Sequence, residues 1–306
     1  MNGKKINILL RTLRVNQWVK NLAIFIAIIF SGKLFEADLF IKASYAFFVF
    51  CFLSSTSYVL NDIIDYPYDV KHPVKKQRPI ASGKISIQQA SFIVFILILF
   101  SLIAALFFSF SLFFLSLIFL LLHFLYSLYL KKYPVIDIFT ISFSFMIRAF
   151  AGEVATGYHI PIWLLLTIFF GSLFMAAVKR HAELVTQGRE TRYSLALYKE
   201  HLLDFSTNTF ATLTIIAYAF YTYFEKPPQT TTIFSHFFTK IFPDFEARKM
   251  LMATVPFVVY GIARYAQLLY EKDEGERPEK IIVTDIPLIV TMALWAGLII
   301  LLIYIL

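Results

Sequence analysis

The 306-residue chain is 59% apolar with a mean hydropathy of +0.71, against roughly 45–50% apolar usage in soluble domains, and this excludes a water-soluble globular protein. The net charge of +8 belongs to the loops between apolar runs, where topology and anionic lipid account for it, so no nucleic-acid partner is needed. The single cysteine, Cys51, lies inside an apolar run, which excludes an intrachain disulfide framework, suggests no cysteine-based metal site and leaves the redox compartment open.

In chain order, Met1 to Arg14 is basic and lacks the small-residue cleavage site of a signal peptide, so it is read as part of the mature protein. Nine segments then have the length and apolarity of bilayer spans, at 19–36, 39–60, 88–109, 112–130, 135–155, 161–179, 206–225, 250–270 and 287–306. The first is the weakest, because Lys20, Asn21, Lys33 and Glu36 crowd its ends, and Trp18 with Lys20 reads as an interfacial anchor. Only Ser109 to Ser111 separate the third and fourth spans, and only Lys131 to Pro134 the fourth and fifth, so both pairs run antiparallel.

Lys and Arg concentrate on cytoplasmic loops. A cytoplasmic N-terminus puts Lys4 to Lys20, Lys71 to Lys84, Lys131, Lys132, Lys179 to Lys199 and Lys272 to Lys280 inside. Lys33, Lys42, Lys226, Lys240, Arg248 and Lys249 then lie outside. The outer segment 226–249, with Pro227-Pro228 and Thr230 to Thr232, reads as an irregular loop. No soluble domain fits between the spans. The expected fold is all-α: one polytopic transmembrane domain over 1–306, a nine-helix bundle with a cytoplasm-facing polar cavity.

Three cytoplasmic clusters stand out. The first follows the second span: Asn61, Asp62, Asp65 and Asp69, then Lys71, His72, Lys75, Lys76 and Arg78. On a helix the spacings i, i+3 and i+7, with Asn61 four residues before Asp65, gather the oxygens on one face. Mg²⁺ takes oxygen ligands and is commonly held by one or two carboxylates plus substrate phosphates, so it would relieve the repulsion and bring in a diphosphate. A solvated loop also carries acids and bases, but four polar residues in register at a helix end favour a site.

The second cluster runs from Tyr126 through Lys131, Lys132 and Pro134 to Asp137, with Arg148 one stretch later. The third is Lys179, Arg180, His181, Ala182 and Glu183. Charges inside a bilayer cost ~2.5–3.5 kcal/mol on insertion scales, so their recurrence points to a shared polar cavity. Plainer readings stand beside each. A cytoplasmic turn attracts lysines such as Lys131 in any case. Asp137 and Arg148 are either a buried pair or separate cavity groups. Lys179 and Glu183 make an i, i+4 pair, and Arg180 a topology anchor. His72, His123, His181 and His201 show no metal-ligand spacing and read as loop or packing residues. Arg264 reads as neutralising Glu271 or snorkelling, and the acidic run from Glu271 to Glu276 as a solvated loop, with Gly275 to Glu279 covering a site as the alternative.

An Asn-Asp-x-x-Asp-x-x-x-Asp motif after the second of nine spans resembles the UbiA-type superfamily of intramembrane prenyltransferases. Further motifs narrow this: Arg14-x-x-Gln17-Trp18-Val19-Lys20-Asn21, His72-Pro73-x-Lys75-x-x-Arg78-Pro79-Ile80-Ala81-x-Gly83, Pro134-Val135-Ile136-Asp137, Arg148-Ala149-x-Ala151-Gly152, Lys179-Arg180-x-x-Glu183-Leu184, Pro278-Glu279 and Asp285-x-Pro287-Leu288. From Arg14 to the C-terminus they are similar to the superfamily's decaprenyl-phosphate phosphoribosyltransferase branch.

The resemblance implies a phosphoribosyl diphosphate donor (5-phosphoribosyl 1-diphosphate), a polyprenyl phosphate acceptor arriving through membrane lipid, and a bacterial plasma membrane location. Mg²⁺ on Asp62, Asp65 and Asp69 would neutralise the leaving diphosphate, with Asp62, Asp65 and Lys131 as the catalytic set. Asn61 would orient the diphosphate, Lys75, Arg78, Lys131 and Lys179 would hold phosphates, Tyr126 would donate to one, and Lys20 and Arg180 would hold the acceptor phosphate. Asp137, Arg148 and Glu183 complete the implied substrate site. The oligomeric state stays open, a homo-oligomer included.

Two departures matter. Pro67 cannot donate its backbone N–H, so the helix ends or bends inside the motif and Asp69 would leave the face of Asp62 and Asp65. The second cluster lacks the Asp-x-x-x-Asp repeat of prenyl-diphosphate users, which favours the phosphoribosyl donor. The rivals are a prenyltransferase moving a polyprenyl chain from its diphosphate to an aromatic or other small acceptor, and a lipid transporter or binding protein without chemistry.

Overall fold

The computed structural model describes residues 3–72, 74–187, 198, 200–225, 240, 250–271 and 284–305, and every regular element among them is helical. The elements are α1 (Gly3–Leu13), a 3₁₀ segment (Val15–Phe25) running into α2 (Ile26–Phe30), α3 (Ala37–Ile64), α4 (Tyr66–Asp69), α5 (Ile87–Phe108), α6 (Phe110–Leu128), α7 (Ile136–Thr156), α8 (Ile162–Gln187), α9 (Glu200–Phe224), α10 (Val255–Glu271) and α11 (Ile286–Ile300). Among the described residues, α3, α5, α6, α7, α8 and α11 with its terminal π turn are long and apolar enough to cross a bilayer. A seventh span arises if Lys5–Leu13 and Val15–Phe30, bent by 45°, count as one. This is a multi-pass membrane protein. Helices α9 and α10 stand where two further spans are expected but are not among those six.

The first expected span, 19–36, takes a different form. It is a 3₁₀ segment that gives way to a five-residue α-helix and ends at Phe30. Runs of 3₁₀ helix beyond a few residues are uncommon, and this one is held by its contacts. Trp18 Nε1 donates to Ser55 Oγ at 3.0 Å and its ring meets Phe52 edge-on, which ties the segment to α3.

The chain divides into two compact units. The first comprises Met1–Ala27, Glu36–Lys131 and Ile147–Tyr158, the second Ile28–Phe35, Lys132–Met146 and His159–Leu306. In the first, α3 packs against the 3₁₀ segment, α5 and α6, around a core that includes Ile24, Phe50, Leu53, Leu112 and Phe119. Ser86 and Gln89 form a capping box at the start of α5. The turn into α6 is tighter than expected. Ser109 alone makes it, extended, with its Oγ accepting the Leu112 N–H at 3.1 Å.

In the second unit α8 and α9 pack along their lengths, and α10 joins both. Phe174, Val178, Tyr265, Leu268 and Leu288 form one of its cores. Arg264 pairs with Asp285 at 2.9 Å, and Asp285 also caps α11 by accepting the Leu288 N–H. The expected partner, Glu271, has its side chain outside the described residues. The 188–197 segment with Arg189 and Arg192, Lys199, residues 226–249 apart from Lys240, expected as an outer loop, and 272–283 with Asp273, Glu274 and Pro278-Glu279 also lie outside the described residues.

Candidate active site

The first cluster forms where α3 stops. Pro67 has no N–H to return to the preceding turn, so α3 ends at Ile64. Asp65 (φ −83°, ψ −3°) closes it, and the short α4 restarts with Asp69 N–H donating to Asp65 O at 2.9 Å. Pro67 breaks the helix as expected, yet Asp69 stays with Asp62. Arg78 Nη1 donates to Asp62 Oδ1 at 3.1 Å and to Asp69 Oδ2 at 2.6 Å. Both carboxylates are buried, with side chains 4% and 5% exposed.

Arg78 is placed by the turn beyond it. The Ser82 N–H donates to Arg78 O at 2.8 Å, and Gly83 takes φ +73°, a conformation glycine adopts without penalty. Asp62 also receives Arg14 Nη2 at 2.5 Å. Arg14 sits in the left-handed region (φ 49°) at the bend between α1 and the 3₁₀ segment, its guanidinium 5.1 Å from the Tyr58 ring centroid.

Asp65 turns to another partner. Lys131 Nζ donates to Asp65 Oδ1 at 2.6 Å and to Asn61 Oδ1 at 3.1 Å, while Asn61 Nδ2 donates to Asp65 Oδ2 at 2.9 Å. Within this closed triangle, Asp65 is the most open of the cluster's three carboxylates, at 26% exposed. Three carboxylates thus face three cations, and like-charge repulsion is already relieved. Beside them His72 Nδ1 accepts the backbone N–H groups of Val74 and Lys75. Burial and then the Lys75 charge push the imidazole below its ordinary range, against the pull of Asp69.

Arg148 belongs to the same unit but to a different network. Its Nε donates to Asn21 Oδ1 at 2.7 Å, and its guanidinium lies 4.7 Å from the Phe119 ring centroid. Ser54 Oγ also donates to Asn21 Oδ1, and Asn21 Nδ2 donates to Cys51 Sγ. One turn on, Gly152 lets α7 touch the 3₁₀ segment: a Cβ there would lie 1.9 Å from Ile24 O. Lys20, Lys75 and Tyr126 are half-buried in the first unit.

The second unit holds Asp137, Lys179, Arg180 and Glu183. Asp137 is fully buried; its Oδ2 accepts Arg180 Nε at 2.7 Å and its Oδ1 accepts the Tyr198 hydroxyl at 2.7 Å. Arg180 also donates to Glu183 at 2.7 Å. Asp137 and Arg148, weighed as a pair in the sequence, therefore go to different partners. The Tyr198 hydroxyl in turn accepts the Val135 N–H at 2.6 Å, and Val135 has φ +68°, an outlier for a β-branched residue. Burial and then the Asp137 carboxylate raise the Tyr198 phenol above its ordinary range. Lys179 is half-buried on α8.

Arg14 and Tyr198 are the residues that sequence reasoning missed. Arg14 lies 48 positions from Asp62 and reads as one basic residue among several near the N-terminus; the only linear signal is its place at the head of the Gln17-Trp18 motif. Tyr198 lies 61 positions from Asp137 in a polar stretch without periodicity.

Among the described residues no three His, Cys, Asp or Glu side chains converge as a metal site. The donor chemistry nonetheless fits a hard cation. Asp62, Asp65 and Asp69 offer carboxylate oxygens and Asn61 an amide oxygen, and Mg²⁺ is commonly held by one or two carboxylates when a diphosphate completes its shell.

The UbiA prenyltransferase family matches residues 22–283. Decaprenyl-phosphate phosphoribosyltransferase of Mycolicibacterium smegmatis is 33% identical over 94% of this chain and 90% of its own length. The Corynebacterium glutamicum protein of the same name is 32% identical over 97% and 87%. In fold, the structure of a UbiA homologue from Archaeoglobus fulgidus bound to GPP and Mg²⁺ superposes with a TM-score of 0.71 at 17% identity, covering 97% of this chain and 99% of that one. With the acid cluster at the end of α3, full-length relatives at about a third identity and a matching helical fold, the chain belongs to the UbiA prenyltransferase family.

Proposed function

We propose that the chain transfers the 5-phosphoribosyl group from 5-phosphoribosyl 1-diphosphate to a polyprenyl monophosphate of the decaprenyl type. The C1–O bond to diphosphate breaks, a bond from a lipid phosphate oxygen to C1 forms, and diphosphate leaves with the electron pair. The observation that carries the reading is the alternation of Asp62, Asp65 and Asp69 with Arg14, Arg78 and Lys131 at the end of an apolar helix. Oxygens and cations in that arrangement suit a metal-bound diphosphate. The names of the full-length relatives support the same donor and acceptor.

Asp62 and Asp65 are the residues that would hold Mg²⁺, with Asp69 as a third carboxylate, and the ion when bound would neutralise the charge developing on diphosphate. Arg14, Arg78 and Lys131 turn from carboxylates to phosphate oxygens as the donor arrives, and Asn61 holds Asp65 and Lys131 in register. No strong base is needed, because a phosphate monoester is already ionised near neutral pH. Lys75 and Tyr126 keep the phosphate-binding roles that the resemblance implies, and Lys20 that of holding the acceptor phosphate. Arg180, engaged by Asp137 and Glu183, acts by positioning Asp137. The Lys and Arg distribution supports a cytoplasmic N-terminus and site in a bacterial plasma membrane.

The test is transfer by purified protein in lipid with Mg²⁺ and each labelled donor. Label passing to lipid phosphate from the phosphoribosyl donor, with diphosphate release lost in Asp65→Asn, is the expected result. The family's description favours one second reading, transfer of a polyprenyl chain from its diphosphate to a small acceptor; transfer only from prenyl diphosphate would establish it instead. Release unaffected by Asp65→Asn would indicate a lipid-binding protein without this chemistry.

A further inference from the structure

His72 has no part in the reaction as described, yet it is built into the cluster. Its backbone N–H donates to Asp69 O at 3.2 Å, and its carbonyl accepts the Lys76 N–H at 3.2 Å. Its Nδ1 accepts two backbone N–H groups, from Val74 at 3.2 Å and Lys75 at 3.3 Å, at the start of the turn that delivers Arg78. A ring nitrogen that accepts carries no proton, so the imidazole proton is on Nε2. The backbone thus sets the tautomer and aims a donor.

That donor is shut away from solvent and has no hydrogen-bond partner. Buried polar atoms left unmatched are few in native proteins and each calls for an explanation. Among the described residues the others are hydroxyls of Ser101, Ser116 and Thr207 on the long helices. The imidazole stands within electrostatic reach of Lys75, Asp69 and Arg78.

We propose that His72 Nε2–H donates a hydrogen bond to a phosphate oxygen of the donor's diphosphate, with the ring held in the donating tautomer by the Val74 and Lys75 amides. An anionic oxygen is the acceptor that the neighbouring cations select, and His72 lies between Asp69, whose carbonyl accepts its backbone N–H, and the turn that delivers Arg78, in the chain segment assigned to the diphosphate. The inference rests on the functional reading above and makes His72 a binding residue of that site.

Two substitutions separate the two ring nitrogens. In His72→Asn the amide oxygen replaces Nδ1 as acceptor and nothing replaces Nε2–H; in His72→Gln the amide nitrogen reaches the Nε2 position and the cap is lost. The full-length protein in nanodiscs is measured for inorganic diphosphate affinity in the presence of Mg²⁺, for donor and acceptor KM, and for unfolding temperature. His72→Asn is expected to melt like the parent, to weaken diphosphate binding and raise the donor KM by about tenfold or more, and to leave the acceptor KM unchanged. His72→Gln is expected to melt lower and keep the donor KM within about threefold.

Parental diphosphate affinity in His72→Asn would overturn the proposal, leaving a water as the partner of Nε2. A rise confined to the acceptor KM would overturn it in favour of the lipid phosphate. Should His72→Asn fail to fold, a donor KM raised tenfold in His72→Gln would overturn it and a parental one would support it. Failure of the functional reading is seen separately, as a parent protein that binds diphosphate but transfers no phosphoribose.

Discussion

Replacing Arg78 by glutamine removes the cation that joins two buried carboxylates. Its Nη1 lies 3.1 Å from Asp62 and 2.6 Å from Asp69. Asp62 keeps Arg14, whereas Asp69 loses the arginine that holds it. Breaking a buried ion pair costs ~3–5 kcal/mol, and the 27% exposure of the Arg78 side chain lets water screen part of this, which places the loss near ~3 kcal/mol. A divalent cation can take the released oxygens. At a hundredfold excess over its Kd, linkage returns ~2.7 kcal/mol. The assay is the unfolding temperature in nanodiscs with and without millimolar Mg²⁺, together with Mn²⁺ affinity by electron paramagnetic resonance in the absence of donor. The variant is expected to melt below the parent without metal, to regain most of the difference with Mg²⁺, and to bind Mn²⁺ more tightly than the parent. A melting temperature equal to the parent's, or a Mg²⁺ response no larger than the parent's, would refute the idea that arginine and metal compete for the same carboxylates.

Two further substitutions test the supporting geometry. Tyr198→Phe removes a hydroxyl that both donates to Asp137 and accepts from the Val135 N–H; Asp137 keeps Arg180 and the Ile138 N–H, and losing the two hydroxyl bonds is expected to cost ~1–3 kcal/mol in thermal unfolding, while adding Val135→Gly, which suits φ +68°, is expected to recover ~1 kcal/mol. Gly152→Ala puts a Cβ 1.9 Å from Ile24 O, a backbone atom that moves only with the whole 3₁₀ segment, so the loss is expected to reach or exceed ~3 kcal/mol and to show as a fall in monodisperse protein by size-exclusion chromatography.

Much of the helical architecture was legible because a bilayer demands it. Apolar runs of about 20 residues have few alternatives to helices when every backbone group must be satisfied internally. The spans of α3, α5, α6, α7 and α8 emerge close to their expected positions. The exception is instructive: residues 15–25 read as the start of an ordinary span, yet Trp18, Asn21 and Ile24 are held by Ser55, Arg148 and the space over Gly152. Those contacts are long-range, so no local pattern announces the 3₁₀ form.

The acid motif shows the same division. Spacing alone determined that Asn61, Asp62 and Asp65 stand together at a helix end, and residue chemistry determined that they and Asp69 offer hard oxygen ligands, whereas the fold decided, through Arg78, that Asp69 stays with Asp62. Pro67 marked the break. Which cation meets which carboxylate was decided only by the fold: Arg14 and Arg78 on Asp62, Arg78 on Asp69, Lys131 and Asn61 on Asp65, Arg180 and Tyr198 on Asp137. Periodicity reports which residues of one element share a face, but side-chain partners 48, 61 or 66 positions apart are chosen by how elements pack, and that information exists only in three dimensions.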